Sequence, residues 1–394
     1  LGNQKQKYMK MNPRKKLQSV DSPLSFKSLS PNLPSHHRSL LPVIGAAFAT
    51  LSLLATPQAK ALAFTGAEGY GANATGGTTV VHVTNLNASG TGSLAAALSA
   101  GGRDIVFDVA GTITIASELA IPSNTTLDGT TAPSPGVTIT GYTVSFSSHN
   151  NIIIRNLRFR ETDSGPSGKC SLQGSDCSNI IIDHCSIEQG RWDCLEVTGS
   201  SNTVTVQWSI IGEGIDPQNF GMLLDGEDKI SVHHNLFIDN ESRNPKLKAN
   251  AQYINNVVYN WGGGGGIVGG HSSAVWNSDV INNFIMAGPS STASWLSQCT
   301  STDTWYVSGN VYDLNKDGLW NSTAIPNSAF TSAGVTIRST IYHNPTYPVT
   351  IDNTSHLFDL AKGDYFGCQP NDATDKRLCG YVKSYGTQGQ IGAP

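Results

Sequence analysis

The chain has 394 residues, with 25 Lys and Arg against 29 Asp and Glu, a formal net charge of −4. That balance excludes a general phosphate-backbone binder, which needs an excess of Lys and Arg. Nucleic acid is therefore not the expected partner.

The first predicted element is a leader. Leu40–Ala55 is apolar and uncharged, follows His36, His37 and Arg38, and precedes Ala61-Leu62-Ala63, a small-x-small cleavage pattern. The run is short for a membrane span and Pro42 interrupts it. Residues 1–63 are read as a signal-bearing leader that is removed. Residues 64–394 are expected to be one secreted, extracellular, monomeric domain, with no membrane association after processing. This part keeps 16 basic and 28 acidic residues, a net charge of −12, so any local cluster of cations stands out.

All seven cysteines fall after the leader, at 170, 177, 185, 194, 299, 368 and 379. Export permits disulfides, and the odd count leaves at least one thiol over. Cys368 with Cys379 is the first expected pair and Cys170 with Cys177 the second. No CxxC or Cys/His spacing suggests zinc.

Phe64–Gly77 is Gly-rich and reads as extended, and Val80–Val83 reads as a strand. Ser93 then precedes Leu-Ala-Ala-Ala-Leu98, a short helix with its own cap, placed to cover the end of a sheet. From Ile105 onward, short Val/Ile/Thr-rich runs alternate with Gly, Asn, Ser and Asp, the signature of strands and turns.

These runs resemble one another. Ile154-Arg-Asn-Leu-Arg-Phe159, Ile182-Asp-His-Cys-Ser-Ile187, Val206-Gln-Trp-Ser-Ile-Ile211, Val232-His-His-Asn-Leu-Phe237 and Ile254-Asn-Asn-Val-Val-Tyr259 recur at steps of roughly 22 to 28 residues. Ile281–Phe284 and Val307–Asn310 extend the series. A sandwich has no reason to repeat one hexapeptide, whereas a solenoid does. The expected fold is all-β: a single-stranded parallel β-helix with a short N-terminal capping helix. Ile154, Ile182, Val206, Val232 and Ile254 would stack inside, with polar residues at the bends satisfying free backbone groups. Residues 366–394 read as a C-terminal tail packed along the solenoid, since solenoid edges need covering.

Within this scaffold, Asp228–Trp261 holds the conspicuous cations. Two apolar-alternating runs, Ile230–Phe237 and Tyr253–Tyr259, flank a segment where Arg243, Lys246 and Lys248 surround Pro245. Strand, basic loop, strand is the simplest reading, and it offers a place to hold an anionic substrate.

Five segments, taken together, resemble the pectate lyases of polysaccharide lyase family 1. They are Phe64-Thr-Gly-Ala-Glu-Gly-Tyr-Gly71, Gly92–Leu98, Asn151–Phe159, Ile182-Asp-His-Cys185 and Ser242-Arg-Asn-Pro245. The resemblance implies a right-handed β-helix and calcium-assisted β-elimination of polygalacturonate, an acidic polysaccharide. It makes Arg243 the base and Lys248 a second basic residue on the substrate carboxylate, with Lys246 another cation beside them. Arg191 and Trp192 are further candidates for binding substrate.

Calcium is the cofactor that the resemblance implies. Asp193 and Glu196, in Arg191-Trp-Asp-Cys-Leu-Glu196, match the family's carboxylate pair, Glu196 in register and Asp193 displaced by one. Gly168 stands where a third Asp is usual, and Asp163 is the candidate substitute. Gly221 replaces a Lys that many members carry. An arginine base is unusual because its guanidinium ordinarily stays protonated; from the residues alone Arg243 is an electrophilic clamp.

Asp183 and His184 match a family motif but have no nucleophile beside them, so a structural hydrogen bond is the simpler reading. Trp192, Trp261 and Trp295 suit either sugar stacking or the solenoid core. A hydrolase on the same scaffold would need paired carboxylates as acid and base, and no Asp-Asp dipeptide occurs. The alternatives are a non-catalytic sugar-binding or adhesin β-helix, which Gly168 and Gly221 favour, and a lyase acting on another polyuronate.

Overall fold

The structure, a computed structural model, describes residues 61–162, 165–292 and 294–392. Nearly all of the expected leader, and Asp163, lie outside the described residues. Among the described residues no helix is long and apolar enough to cross a membrane.

Three long sheets wind around one core. The first has eleven strands, from Thr79–Val83 to Thr336–Ile337; the second has eight, from Leu119–Ala120 to Leu296–Ser297; the third has ten, from Gly111–Thr114 to Thr323–Ala324. Neighbouring strands are successive coils and pair in parallel. The exception is the last pair of the third sheet, where Val311–Asp313 meets Thr323–Ala324 antiparallel. The chain is a parallel β-solenoid. The N-terminal helix is Leu94–Ala97: Ser93 Oγ accepts the Ala96 N–H at 3.2 Å, and Leu94 and Ala97 are buried with Val83 and Ile105.

The inner stack of the first sheet follows the repeat for four coils. Ile154, Ile182, Val206 and Val232 pair in register and are fully buried, each worth about 1.5–3 kcal/mol for its burial. At the fifth coil the expectation fails. Val232 pairs with Tyr253, and Ile254 pairs with His233 on the opposite face, under Val349. The register is set by asparagines. Asn235, Asn256, Asn283 and Asn310 stack inside the bend; each of the first three donates its amide to the next one's Oδ1 at 2.9–3.1 Å, and the next one's Oδ1 also accepts its backbone N–H. Keeping Asn256 in that ladder puts Tyr253, three residues earlier, in the inner row.

The backbone turns left-handed just before each ladder residue and at the same bend of the two preceding coils. His184, Trp208, His234, Asn255 and Asn282 all have φ between 49° and 53°, and the rings of Trp208 and His234 stack at 4.5 Å. Asn256→Ala should cost about 2–4 kcal/mol in urea unfolding, because the Asn235 N–H and the Val232 carbonyl both lose their buried partner. A shift below about 0.5 kcal/mol would show that water replaces the amide.

The outer face of the third sheet is covered by the helix Ala373–Val382, whose Leu378, Cys379 and Val382 pack on Ile210, Leu236 and Val257. Beneath it Arg158 Nε pairs with Asp375 at 2.9 Å, and Arg160 reaches Glu188 at 2.5 Å and Asp372 at 2.6 Å.

Neither expected disulfide forms, and all seven cysteines are thiols. Cys170 and Cys177 flank the strand Leu172–Ser175 at opposite ends, so extended chain separates them by roughly 20 Å, far beyond the ~7 Å a bridge spans. Cys368 Sγ meets the Asn156 carbonyl at 3.2 Å, while Cys379 is buried on the helix.

Candidate active site

The cations and carboxylates singled out in the sequence converge on the second sheet. Asp193–Thr198, Phe220–Asp225 and Lys246–Lys248 are consecutive strands there. The basic segment is therefore less a loop than a wall: after a turn at 239–245, Lys246–Lys248 pairs with Leu223–Asp225. One outward row runs Gln173, Glu196, Leu223, Lys246, and the next runs Ser175, Thr198, Asp225, Lys248. Leu172, Leu195, Met222, Val197, Leu224 and Leu247 alternate with these rows and fill the core.

Asp193 joins this face through a break in the alternation. Cys194 and Leu195 are both fully buried core residues, so the alternation slips by one and the carboxylates on either side of them, Asp193 and Glu196, lie close enough to feel each other's charge. That explains the one-residue displacement seen in the sequence. Burial pushes the Asp193 carboxyl well above its usual range although Arg243 opposes the shift, and Glu196 adds to it.

Arg243 sits at φ 62° in the turn, and its Nη1 donates to Asp193 Oδ2 at 2.7 Å. Its guanidinium carbon lies 4.1 Å from the Phe220 ring centroid and 5.9 Å from that of Trp192, a cation–π contact that fixes the side chain's path. The turn is held from behind: Asn240 Nδ2 donates to Asn244 Oδ1 at 2.9 Å and the Met222 N–H to the Arg243 carbonyl at 2.7 Å. Gly221 belongs to this packing. A Cβ there would stand 2.5 Å from the Arg243 carbonyl oxygen, and Leu223 is the residue of that strand that lies on the outer face between Glu196 and Lys246.

The two lysines differ. Lys248 Nζ is 2.7 Å from Asp225 Oδ1. Lys246 Nζ donates to Gln298 Oε1 at 3.1 Å, a neutral partner. Burial, then the charges of Arg243 and Lys248, push the Lys246 ammonium below the usual lysine range. Such a site is short of negative charge, which an anionic ligand would supply.

Arg191 is already engaged, with Nε on the Asp216 carbonyl at 3.0 Å and Nη1 on that of Gly165 at 2.8 Å. It ties two bends together at the edge of the site. Trp192 is half-buried beside Phe220, whereas Trp261 is fully buried core and Trp295 packs on Phe330. Asp183 accepts from Arg155 and Gln207 and pairs with His184, as a structural role requires.

Whether these residues suit calcium turns on Asp193. Its Oδ1 is buried and has no hydrogen-bond partner among the described residues, and Glu196 is beside it. A carboxylate pair with one unpartnered oxygen offers donors for a hard divalent cation. The set is partial: Gly168 brings no side-chain oxygen, and among the described residues no three His, Cys, Asp or Glu side chains form a metal cluster.

Sequence reasoning missed Phe220, Asp225, Gln298 and Cys170. The Cys170 thiol is pushed well up by burial and then by Glu196 and Asp193, which places it against the carboxylate pair. Coil spacing was the available signal, since Cys170 precedes Asp193, and Asp225 precedes Lys248, by 23 residues each.

The comparisons with known proteins agree with this architecture. The family described as "Right handed beta helix region" matches residues 123–285. The "Probable pectate lyase C" of Aspergillus fumigatus is 38% identical over 346 residues, covering 86% of this chain and 82% of its own. Its counterpart in Emericella nidulans is 38% identical over 334 residues, covering 84% and 78%. Among solved structures, a thermostable pectate lyase superposes with a TM-score of 0.59 at 15% identity, covering 78% of this chain and 98% of its own. Fold and relatives define a polysaccharide lyase built on a right-handed parallel β-helix. The solved structure speaks for the fold; the two fungal relatives are similar enough, over enough of their length, to fix the family. The chain belongs to the pectate lyases.

Proposed function

We propose that the protein is a secreted, calcium-assisted pectate lyase that cleaves polygalacturonate by β-elimination, with Arg243, Lys246, Lys248, Asp193 and Glu196 as its working residues. The observation that carries this reading is the juxtaposition on one wall of Arg243, held at 2.7 Å by buried Asp193, and Lys246, whose hydrogen-bond partner among the described residues is the neutral Gln298.

The proton next to a uronate carboxylate is a weak acid, and its loss builds charge on that carboxylate. Cations placed there stabilise the enolate that forms. Lys246 is the cation best placed to take the uronate; Lys248 reaches it only by giving up Asp225. A calcium ion held by Asp193 and Glu196 would share in neutralising the carboxylate. The resemblance makes Arg243 the base. Arg243 is held by Asp193 at 2.7 Å, so acting on the substrate's proton requires that ion pair to loosen as substrate arrives. The electron pair left on carbon then forms the double bond and expels the glycosidic oxygen.

Lys246→Ala should raise KM for polygalacturonate about tenfold or more with kcat less affected, and Lys248→Ala should raise it less, as steady-state kinetics would show. Equal and small effects of both would remove the uronate from this wall.

A further inference from the structure

The Asp183–His184 pair singled out in the sequence takes no part in the cleft, and it borders a cavity of its own. The cleft lies on the second sheet; this cavity opens at the bend between the first and third sheets, where Asn150–Arg155 passes to Arg158–Arg160. It measures about 330 Å³ and is lined by Thr130, Arg155, Asn156, Asp183, His184 and Gln369. That volume is at the lower end of those that hold small ligands.

Asp183 organises the site. One row of the first sheet runs Asp128, Arg155, Asp183, Gln207. The buried Asp183 carboxylate accepts Arg155 Nε at 3.1 Å and Gln207 Nε2 at 2.7 Å, and pairs with His184 Nδ1 at 2.9 Å. Only one nitrogen of Arg155 and one of His184 are used in this way. Among the described residues Arg155 Nη1, Arg155 Nη2 and His184 Nε2 have no hydrogen-bond partner, and the two side chains are 26% and 35% exposed, within reach of a ligand. The Arg155 guanidinium carbon lies 3.8 Å from the Phe64 ring centroid, and His184 stacks on Trp208 with centroids 6.0 Å apart. Both heads are therefore held in place before anything binds.

The walls are preformed as well. Asn156 Nδ2 donates to the Gln369 carbonyl and Asn156 Oδ1 accepts the Gln369 N–H, each at 2.7 Å. Gln207 is tied to the N-terminal segment, accepting the Glu68 N–H and donating to the Gly66 carbonyl at 3.1 Å. Asp128, next to Arg155 in the row, is turned to Thr130, whose N–H its Oδ1 accepts at 3.1 Å.

A planar guanidinium with both terminal nitrogens free matches a carboxylate, which it can bind with two parallel hydrogen bonds. One guanidinium and one imidazole against the one carboxylate of Asp183 can balance a single further negative charge, which suits a carboxylate and not a phosphate dianion. Thr130 and Gln369 add the neutral polar groups that orient a sugar. We propose that Arg155 and His184 form a second uronate site outside the cleft, with Arg155 on the carboxylate and His184 Nε2 on a ring hydroxyl. That the ligand is a uronate rests on the polygalacturonate reading above, whereas the carboxylate itself follows from Arg155.

The probe is D-galacturonate, with galactose as its neutral counterpart. Histidine side-chain resonances are followed by NMR in the full chain carrying Lys246→Ala and Lys248→Ala, which weakens the cleft's hold on uronates, with divalent cations chelated to stop turnover. His184, assigned from the spectrum of His184→Gln, should shift saturably with galacturonate and not with galactose. Arg155→Gln should weaken this binding by about tenfold or more. Thr130→Trp, at an exposed position outside the Asp183 pairings, should block it with the fold intact. Trigalacturonate distinguishes the sources: a His184 shift with it as well as with the monomer supports a site for the polymer, and a shift with the monomer alone supports one for the free acid. The readout is binding at His184, so a chain without lyase activity can still pass this test, and an active lyase can fail it. No His184 shift with galacturonate, an equal shift with galactose, or a shift that Arg155→Gln and Thr130→Trp both leave unchanged overturns the proposal.

Discussion

Replacing Arg243 by alanine is expected to lower kcat on polygalacturonate by at least about a hundredfold, the usual cost of losing a group that acts in the transition state. KM should change much less, because Lys246 and Lys248 still meet the carboxylates. Arg243→Lys should fail almost as badly. A lysine keeps the charge but cannot lie across Phe220 while donating to Asp193 in the planar geometry seen at 2.7 Å and 4.1 Å. Removing Arg243 also leaves Asp193 buried without its one cationic partner, so the variant's fold should be checked by circular dichroism before its rate is read. A kcat for Arg243→Ala within about threefold of wild type, with the fold intact, would take Arg243 out of the mechanism.

Chelating divalent cations is expected to abolish activity, with calcium restoring it. Asp193→Asn and Glu196→Gln should each raise the calcium concentration needed for half-maximal rate by about tenfold or more. The reasoning rests on Asp193: it is fully buried, one oxygen serves Arg243, and the other accepts no hydrogen bond among the described residues. Asp193→Asn preserves shape while removing the charge, so it separates cation binding from packing. Undiminished activity in excess chelator would mean that Arg243, Lys246 and Lys248 alone neutralise the substrate.

The repeat made the solenoid legible, because inward residues one coil apart must be alike to stack. It misplaced Ile254 because the hexapeptide alignment matched apolar to apolar, while the register is fixed by Asn256, whose amide must meet Asn235 and Asn283. The disulfides failed for a related reason. Cysteines at 170 and 177 are close along the chain, but a strand carries its ends apart.

Within the site, Arg243 with Asp193 and Glu196 could be reached from the motif, but the pairing of Lys248 with Asp225 could not. That contact joins neighbouring coils, and it becomes visible only once 23 residues is recognised as one turn of the helix. Gly221 shows the same limit. In the sequence it reads as a lost substrate contact; in the fold it makes room for the Arg243 carbonyl.

The most direct test is the product itself. Polygalacturonate incubated with the wild-type chain and calcium should yield oligosaccharides that absorb in the ultraviolet through a new double bond conjugated to the carboxylate. Mass spectrometry should find each fragment that carries this unsaturated end lighter by one water than a hydrolysis product of equal length. Fragments of full hydrolytic mass without that absorbance, or no cleavage of polygalacturonate at all, would contradict the account.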